Sequence, residues 1–238
     1  MNSILVLGFL LGMRHALEAD HIAAVATLAT RTRSARQAVL QGAVWGLGHT
    51  ITLFLACSAA LFLKTVVPER LASGLEGAVG AMLIVLGLDL LRRMWRDRVH
   101  FHVHRHCDGT VHVHAHSHAN ARDPRTLHPE STHEHEHARQ FPARALYVGL
   151  MHGLAGSAAL ILLALTTIGS PLTGLIYVGL FGIGSICGMA MLSAAISVPL
   201  RRARRFAWLY ACAQVAVGVA TIVIGGVLLY NNANFLAA

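Results

Sequence analysis

Hydrophobic residues in this chain fall into long, nearly unbroken runs, not into the strict alternation of a half-buried strand. Six runs stand out, at roughly 3–29, 37–63, 72–94, 143–168, 172–199 and 207–230. A helix needs about 20 apolar residues to cross a bilayer, so each run crosses with some tilt. The pattern predicts an all-α polytopic membrane protein with six transmembrane helices. Polar residues collect in short connections and in one long segment from about 96 to 142.

Composition narrows the class. Of the 238 residues, 55% are hydrophobic and 13% charged, and the mean hydropathy is +0.57. Soluble domains run near a quarter charged, which excludes a soluble enzyme, a DNA-binding module and a disordered tail. The formal charge of +8 would point a soluble protein toward nucleic acid. Here it reflects arginine-rich connections, and no nucleic-acid partner is expected. One side of the predicted bundle receives Arg31, Arg33, Arg36, Arg92, Arg93, Arg96, Arg98, Arg201, Arg202, Arg204 and Arg205; the other receives Lys64 and Arg70. The positive-inside bias makes the first side cytoplasmic. Both termini then face outward and segment 96–142 is cytoplasmic. The start, Met1-Asn2-Ser3 before an apolar run, has no basic region or small-residue cleavage site and reads as a retained helix. Cys57, Cys107, Cys187 and Cys212 show no C-x-x-C spacing, so neither a disulfide framework nor a thiolate metal site is indicated.

The two halves resemble each other at an offset of about 137 residues. Gly12-Met13-Arg14-His15 aligns with Gly149-Leu150-Met151-His152, Gly46-Leu47-Gly48 with Gly182-Ile183-Gly184, and Glu76, Gly80 and Gly87 with Gln214, Gly218 and Gly225. Three crossings per half is odd, so the second half runs inverted. The expected organisation is a first three-helix repeat over 1–95, a cytoplasmic loop over 96–142 and a second repeat over 143–238. Inverted repeats are common in transporters, with the substrate site near mid-membrane. Small-x-x-x-small pairs such as Gly8/Gly12 and Gly184/Gly188 predict close helix packing.

The chemical signal is Arg14-His15-Ala16-Leu17-Glu18-Ala19-Asp20-His21, inside the first run. Three formal charges facing lipid would cost on the order of 8 kcal/mol, so they face the interior and are paired or bound. On a regular helix His15, Glu18 and His21 share an arc of about 120° with Arg14, and Asp20 falls outside it. Recruiting Asp20 needs a local break, or a role orienting an imidazole from behind. Counting rise per residue puts His15 and His49 near mid-depth, His152 close by and His21 nearer the cytoplasm. The expected metal-interacting set is His15, Glu18, Asp20, His21, His49 and His152, with Arg14 pairing charge. Imidazole with carboxylate suits Ni²⁺, Co²⁺, Zn²⁺ or Cu²⁺. Met13 and Met151 read as packing residues.

The polar segment contains VHFHVHRHCDGTVHVHAHSH from Val99, then HEHEH at 133–137. The histidines of these two stretches are His100, His102, His104, His106, His112, His114, His116, His118, His133, His135 and His137. Alternation around Asp108-Gly109 fits a hairpin, with His106 opposite His112 if three residues connect the strands; a disordered segment is the alternative. Either form reads as an accessory metal buffer or sensor, against a solvating linker or a pH sensor.

Segment Arg14–Ile22 resembles the H-x-x-x-x-D-H signature helix of the nickel/cobalt transporter family (NiCoT), and Leu47-Gly48-His49-Thr50 is similar to its second motif. The resemblance covers about a fifth of the chain. Glu18 stands where the signature usually has Asp, the helix preceding the signature is missing, and His152-Gly153-Leu154-Ala155-Gly156-Ser157 replaces an acidic second-half motif. These departures resemble the short branch labelled urease accessory protein or the nickel permeases associated with nickel superoxide dismutase. The resemblance implies a secondary permease for Ni²⁺, and for Co²⁺ as a second ion, in a bacterial cytoplasmic (inner) membrane. The ion is cargo and there is no prosthetic group. Besides the ion and the lipid bilayer, cytoplasmic nickel chaperones are expected partners; the oligomeric state is open. His15, Asp20, His21 and His49 carry over as metal-interacting positions; Glu18 and His152 rest on their chemistry alone.

Uptake is the expected direction, with efflux fed by the histidine loop as the alternative. An intramembrane metalloenzyme is disfavoured because no H-E-x-x-H is present, and Ser157 has no nucleophile setting. A metal-sensing scaffold acting through the loop is a further reading. No phosphate-binding loop is found, so direct ATP hydrolysis is not expected.

Overall fold

The run expected to form one helix over 3–29 is instead two helices. In the computed structural model, which describes residues 2–32, 34–63, 68–96, 100–105, 111–116, 142–153 and 171–237, α1 (Asn2–His15) stops midway and α2 (Ala19–Ala29) resumes after a turn. Leu17 N–H bonds Arg14 O at 2.9 Å and Glu18 N–H bonds His15 O at 3.0 Å, which tightens the end of α1 into i→i+3 geometry. Glu18 then turns extended (φ −67°, ψ 149°) and leads into α2. No glycine or proline causes this break. Polar side chains do: Glu18 reaches back to His15, and Asp20 Oδ1 accepts the His21 backbone N–H at 2.8 Å, one of the donors that a helix start leaves unpaired.

The other elements are α3 (Ala35–Leu63), α4 (Glu69–Arg96), strands β1 (His100–Arg105) and β2 (Val111–His116), α5 (Ala143–His152), α6 (Pro171–Ala203) and α7 (Ala207–Ala237). Four of these helices contain stretches long and apolar enough to span a membrane: Ala35–Ala60, Arg70–Arg96, Leu172–Ala203 and Ala207–Ala233. Helix α5 opens the run expected over 143–168, and residues 154–168 of that run lie outside the described ones. Large apolar side chains such as Leu55, Val85, Leu172 and Trp208 stand exposed on the outside, as lipid contact requires. Inside, small residues (Ala16, Ala23, Ala24) pack with Val25, Leu28, Trp45, Leu83 and Met189.

Helix α1 packs on α6, α3 on both α6 and α5, and α4 on α7. Glycines set how closely they approach. A methyl on Gly80 would sit 2.7 Å from Gly225 O, and one on Gly225 would sit 2.5 Å from Gly80 O. Several of these contacts have a counterpart about 137 residues away with the partners exchanged. Gly12 faces Phe181 and Ser185, and Gly149 faces Trp45 and His49; Gly46 faces Ile186, and Gly182 faces Thr50; Gly87 faces Gly218 and Ile222, and Gly225 faces Gly80 and Ile84.

Basic connections gather at one end of the bundle. Arg31 after α2, Arg93 on α4 and Arg144 on α5 all reach Asp89 Oδ2, at 2.6, 3.4 and 2.6 Å. Arg204, between α6 and α7, and Tyr210 bond Thr30 O, each at 2.9 Å. Strands β1 and β2 pair antiparallel in the register His100↔His116, His102↔His114 and His104↔His112. That register corrects the expected one, which put His106 opposite His112. Histidine still opposes histidine, and residues 106–110 between the strands lie outside the described ones.

Candidate metal centre

Two short helices end at the same place. His15 is the last residue of α1 and His152 the last of α5, while α2 starts there with Asp20 and His21 in its first turn. His49 comes from within α3. Helix C-termini carry partial negative charge. In broken-helix transporters such ends favour bound cations. The N-terminus of α2 has the opposite sign, and the Asp20 carboxylate in its first turn offsets it.

The imidazoles form one cluster. Ring centroids lie 4.3 Å apart for His15–His21 and for His21–His152, 5.2 Å for His15–His49 and for His21–His49, and 6.0 Å for His49–His152. All four are buried, at 6%, 1%, 0% and 2% exposure for His15, His21, His49 and His152.

Hydrogen bonds fix the ring orientations. His15 Nδ1 meets Glu18 Oε1 at 2.8 Å, His21 Nδ1 meets Asp20 Oδ1 at 2.9 Å and His152 Nε2 meets Asp20 Oδ2 at 2.9 Å. A carboxylate only accepts, so each of these ring nitrogens carries the proton. The lone pairs of neutral rings then sit on His15 Nε2, His21 Nε2 and His152 Nδ1. His15 Nε2 lies 3.3 Å from His49 Nε2. His21 Nε2, His49 Nδ1 and His152 Nδ1 are buried with no hydrogen-bond partner among the described residues. Leaving a buried polar atom unpaired costs about 1–3 kcal/mol. Three in one cluster mark a place arranged for something else to bind.

Two donor sets result: His15, His21 and His49 offer one atom each within 4.8 Å of one another, and so do Asp20, His21 and His152. Ligands held about 2.0–2.1 Å from one ion lie about 3–4 Å apart, so a small contraction brings either set onto a cation. His21 belongs to both.

The break between α1 and α2 supplies what a regular helix lacked, since it turns Asp20 into the cluster. Among the described residues the Glu18 side chain bonds His15 alone, and it is 50% exposed. Arg14 is exposed and makes no ion pair among the described residues. Of the loop histidines, His100, His102, His104, His112, His114 and His116 lie on the paired strands. His106, His118, His133, His135 and His137 lie outside the described residues. Trp45, fully buried, is absent from the set read in the sequence; its ring lies 5.3 Å from His21 and 5.6 Å from His152. The available signal was its place one helical turn before His49. Phe181 walls His15 at 5.4 Å.

A family profile described as high-affinity nickel-transport protein (NicO) matches residues 1–229. The urease accessory protein UreH of Bacillus sp. (strain TB-90) is 30% identical over 232 residues, covering 96% of this chain and 91% of that one. No solved structure matches the chain.

Proposed function

This chain belongs to the NicO family of high-affinity nickel-transport proteins, and we propose that it carries Ni²⁺ inward across the cytoplasmic membrane through the His15/His21/His49/His152 cluster. Membership makes it a membrane transporter with a divalent metal as cargo, and the metalloenzyme reading falls away. The observation that carries the site is the set of buried imidazole nitrogens, unpartnered among the described residues and within reach of one another.

The proposed roles follow from the bonds. His15, His21 and His49 take the ion first. Glu18 and Asp20 sit behind two of these rings, fix their tautomers and raise their basicity. Asp20 also offers an oxygen in the set that includes His152. The two carboxylates contribute −2, which balances the +2 ion and lowers the cost of holding it away from water. The same donors suit Co²⁺ as a second cargo.

We read residues 1–95 and 143–238 as inverted repeats that rock about the cluster. The exchanged glycine contacts support this, because a two-fold relation pairs Gly12–Phe181 with Gly149–Trp45. Common placement of Arg31, Arg93, Arg144 and Arg204 at one end supports a cytoplasmic face there, with segment 96–142 on it. High affinity suits scavenging from dilute surroundings, hence the inward direction. Delivery to cytoplasmic nickel chaperones is part of this reading.

The test is uptake of radioactive nickel at trace concentration by cells making the protein. His21→Ala and His49→Ala should abolish uptake at unchanged protein level; undiminished uptake would sink the site. Cells making the wild type should become more sensitive to nickel. Increased resistance would reverse the direction and leave the site standing.

A further inference from the structure

Helices α2 and α5 run in opposite senses between the metal cluster and the arginine-rich end. At the cluster they meet through Asp20 Oδ2 and His152 Nε2, 2.9 Å apart. At the other end Arg31, just past α2, and Arg144, at the start of α5, both bond Asp89 Oδ2 at 2.6 Å. Between these ties the two backbones do not pack directly on each other among the described residues; Ala23, Ala24, Val25 and Leu28 of α2 and Ala145 and Val148 of α5 belong to one buried cluster with Trp45 and Leu83. By helical rise the ties stand about 12–16 Å apart. A seam that starts at the metal cluster, is filled by apolar side chains and not by direct helix-on-helix packing, and is tied at its far end by charged side chains is the geometry of a closed gate.

We propose that Asp89 is a further functional residue of this transporter, the latch on the arginine-rich mouth of the α2–α5 passage. The proposal rests on the transport reading above. Three features carry it. Asp89 on α4 gathers one arginine from each wall, plus Arg93 from its own helix, whose Nε also bonds Asp89 O at 3.0 Å. The latch is part-exposed, with side-chain exposures of 32–41% for the arginines and 33% for Asp89. Exposed ion pairs are weak singly, so such a closure opens and recloses where a deeply buried pair would hold fast. Arg31 and Arg144 are held side by side on one carboxylate, and their guanidiniums repel a departing divalent cation until the two separate.

The purified full chain in proteoliposomes tests this, with Ni²⁺ as the probe. Asp89→Asn should bind Ni²⁺ with wild-type affinity but change the transport turnover severalfold, and Asp89→Glu should restore it in part. A second variant carries Arg31→Cys and Arg144→Cys with Cys57, Cys107, Cys187 and Cys212 replaced by Ser. Bridging the new thiols with a reducible bifunctional reagent should stop transport, keep Ni²⁺ binding and be reversed by reductant. Undiminished transport in the bridged protein would overturn the latch. So would a parallel loss of binding and transport in Asp89→Asn, because Asp89 would then only hold the site in shape. A wild type that neither binds nor moves Ni²⁺ refutes the transport reading itself, a result separate from either of these.

Discussion

Asp20 Oδ2 accepts a hydrogen bond from His152 Nε2 at 2.9 Å across 132 residues of sequence, while Oδ1 of the same carboxylate accepts from His21 Nδ1. One side chain thus sets two imidazoles, one from each half of the chain. It does so only because α1 ends at His15 and lets α2 begin on a new axis.

Replacing Asp20 by Asn keeps the shape but removes the charge and one acceptor. Loss of such a supporting group typically costs 10–100-fold in metal affinity, and about that loss is expected in Ni²⁺ binding, read by equilibrium dialysis of the purified protein. Glu18→Gln should cost less, because among the described residues the Glu18 side chain bonds His15 alone and is half exposed. Equal losses would show that Glu18 does more than orient one ring.

Trp45 offers a direct optical report. Its ring lies 5.3 Å from His21 and 5.6 Å from His152, whereas Trp95 and Trp208 are 86% and 67% exposed. With Trp95→Phe and Trp208→Phe in place, the remaining emission comes from Trp45. Saturating Ni²⁺ should quench it strongly, and His49→Ala in the same background should abolish the quenching. Emission that ignores Ni²⁺ would place the ion elsewhere.

Four of the expected spans were legible because hydrocarbon length leaves few choices for a run such as 172–199, which falls within α6. The histidines were legible because ionisable groups in apolar runs need a reason to be there. The interruption at 16–18 was legible only as one of two options for Asp20, because it has no glycine or proline to announce it. It depends on Glu18 and Asp20 finding partners, one of them on a distant helix. Asp89 went unread for a similar reason: a lone acid near the arginine-rich end of an apolar run has no local pattern. Only the fold brings Arg31 and Arg144 to it.

Close helix contact predicts a graded response to added methyl groups. Gly74 has nothing among the described residues within 4 Å of where a Cβ would stand, so Gly74→Ala should leave stability unchanged or slightly raised. Gly80 would meet Gly225 O at 2.7 Å, which is backbone and yields little. Gly80→Ala should therefore cost about 1–3 kcal/mol by forcing α4 from α7. Thermal unfolding in detergent, followed by monodispersity, distinguishes the two. Equal midpoints would show that the α4–α7 seam is looser than this packing.

The histidine segment makes the last prediction. Among the described residues the cluster draws its donors from α1, α2, α3 and α5, and no strand residue enters either donor set. Deleting residues 99–137 should therefore leave the maximal rate of Ni²⁺ uptake near wild type. If the paired histidines of β1 and β2 buffer arriving metal, the deletion should show itself as lower nickel retention when the external supply is briefly withdrawn. A shortened chain that reaches the membrane in normal amount but transports nothing would make the segment part of the transport machinery. Efflux assays on preloaded cells, with and without the segment, separate buffering from transport because only the first depends on how much metal the cytoplasm already holds.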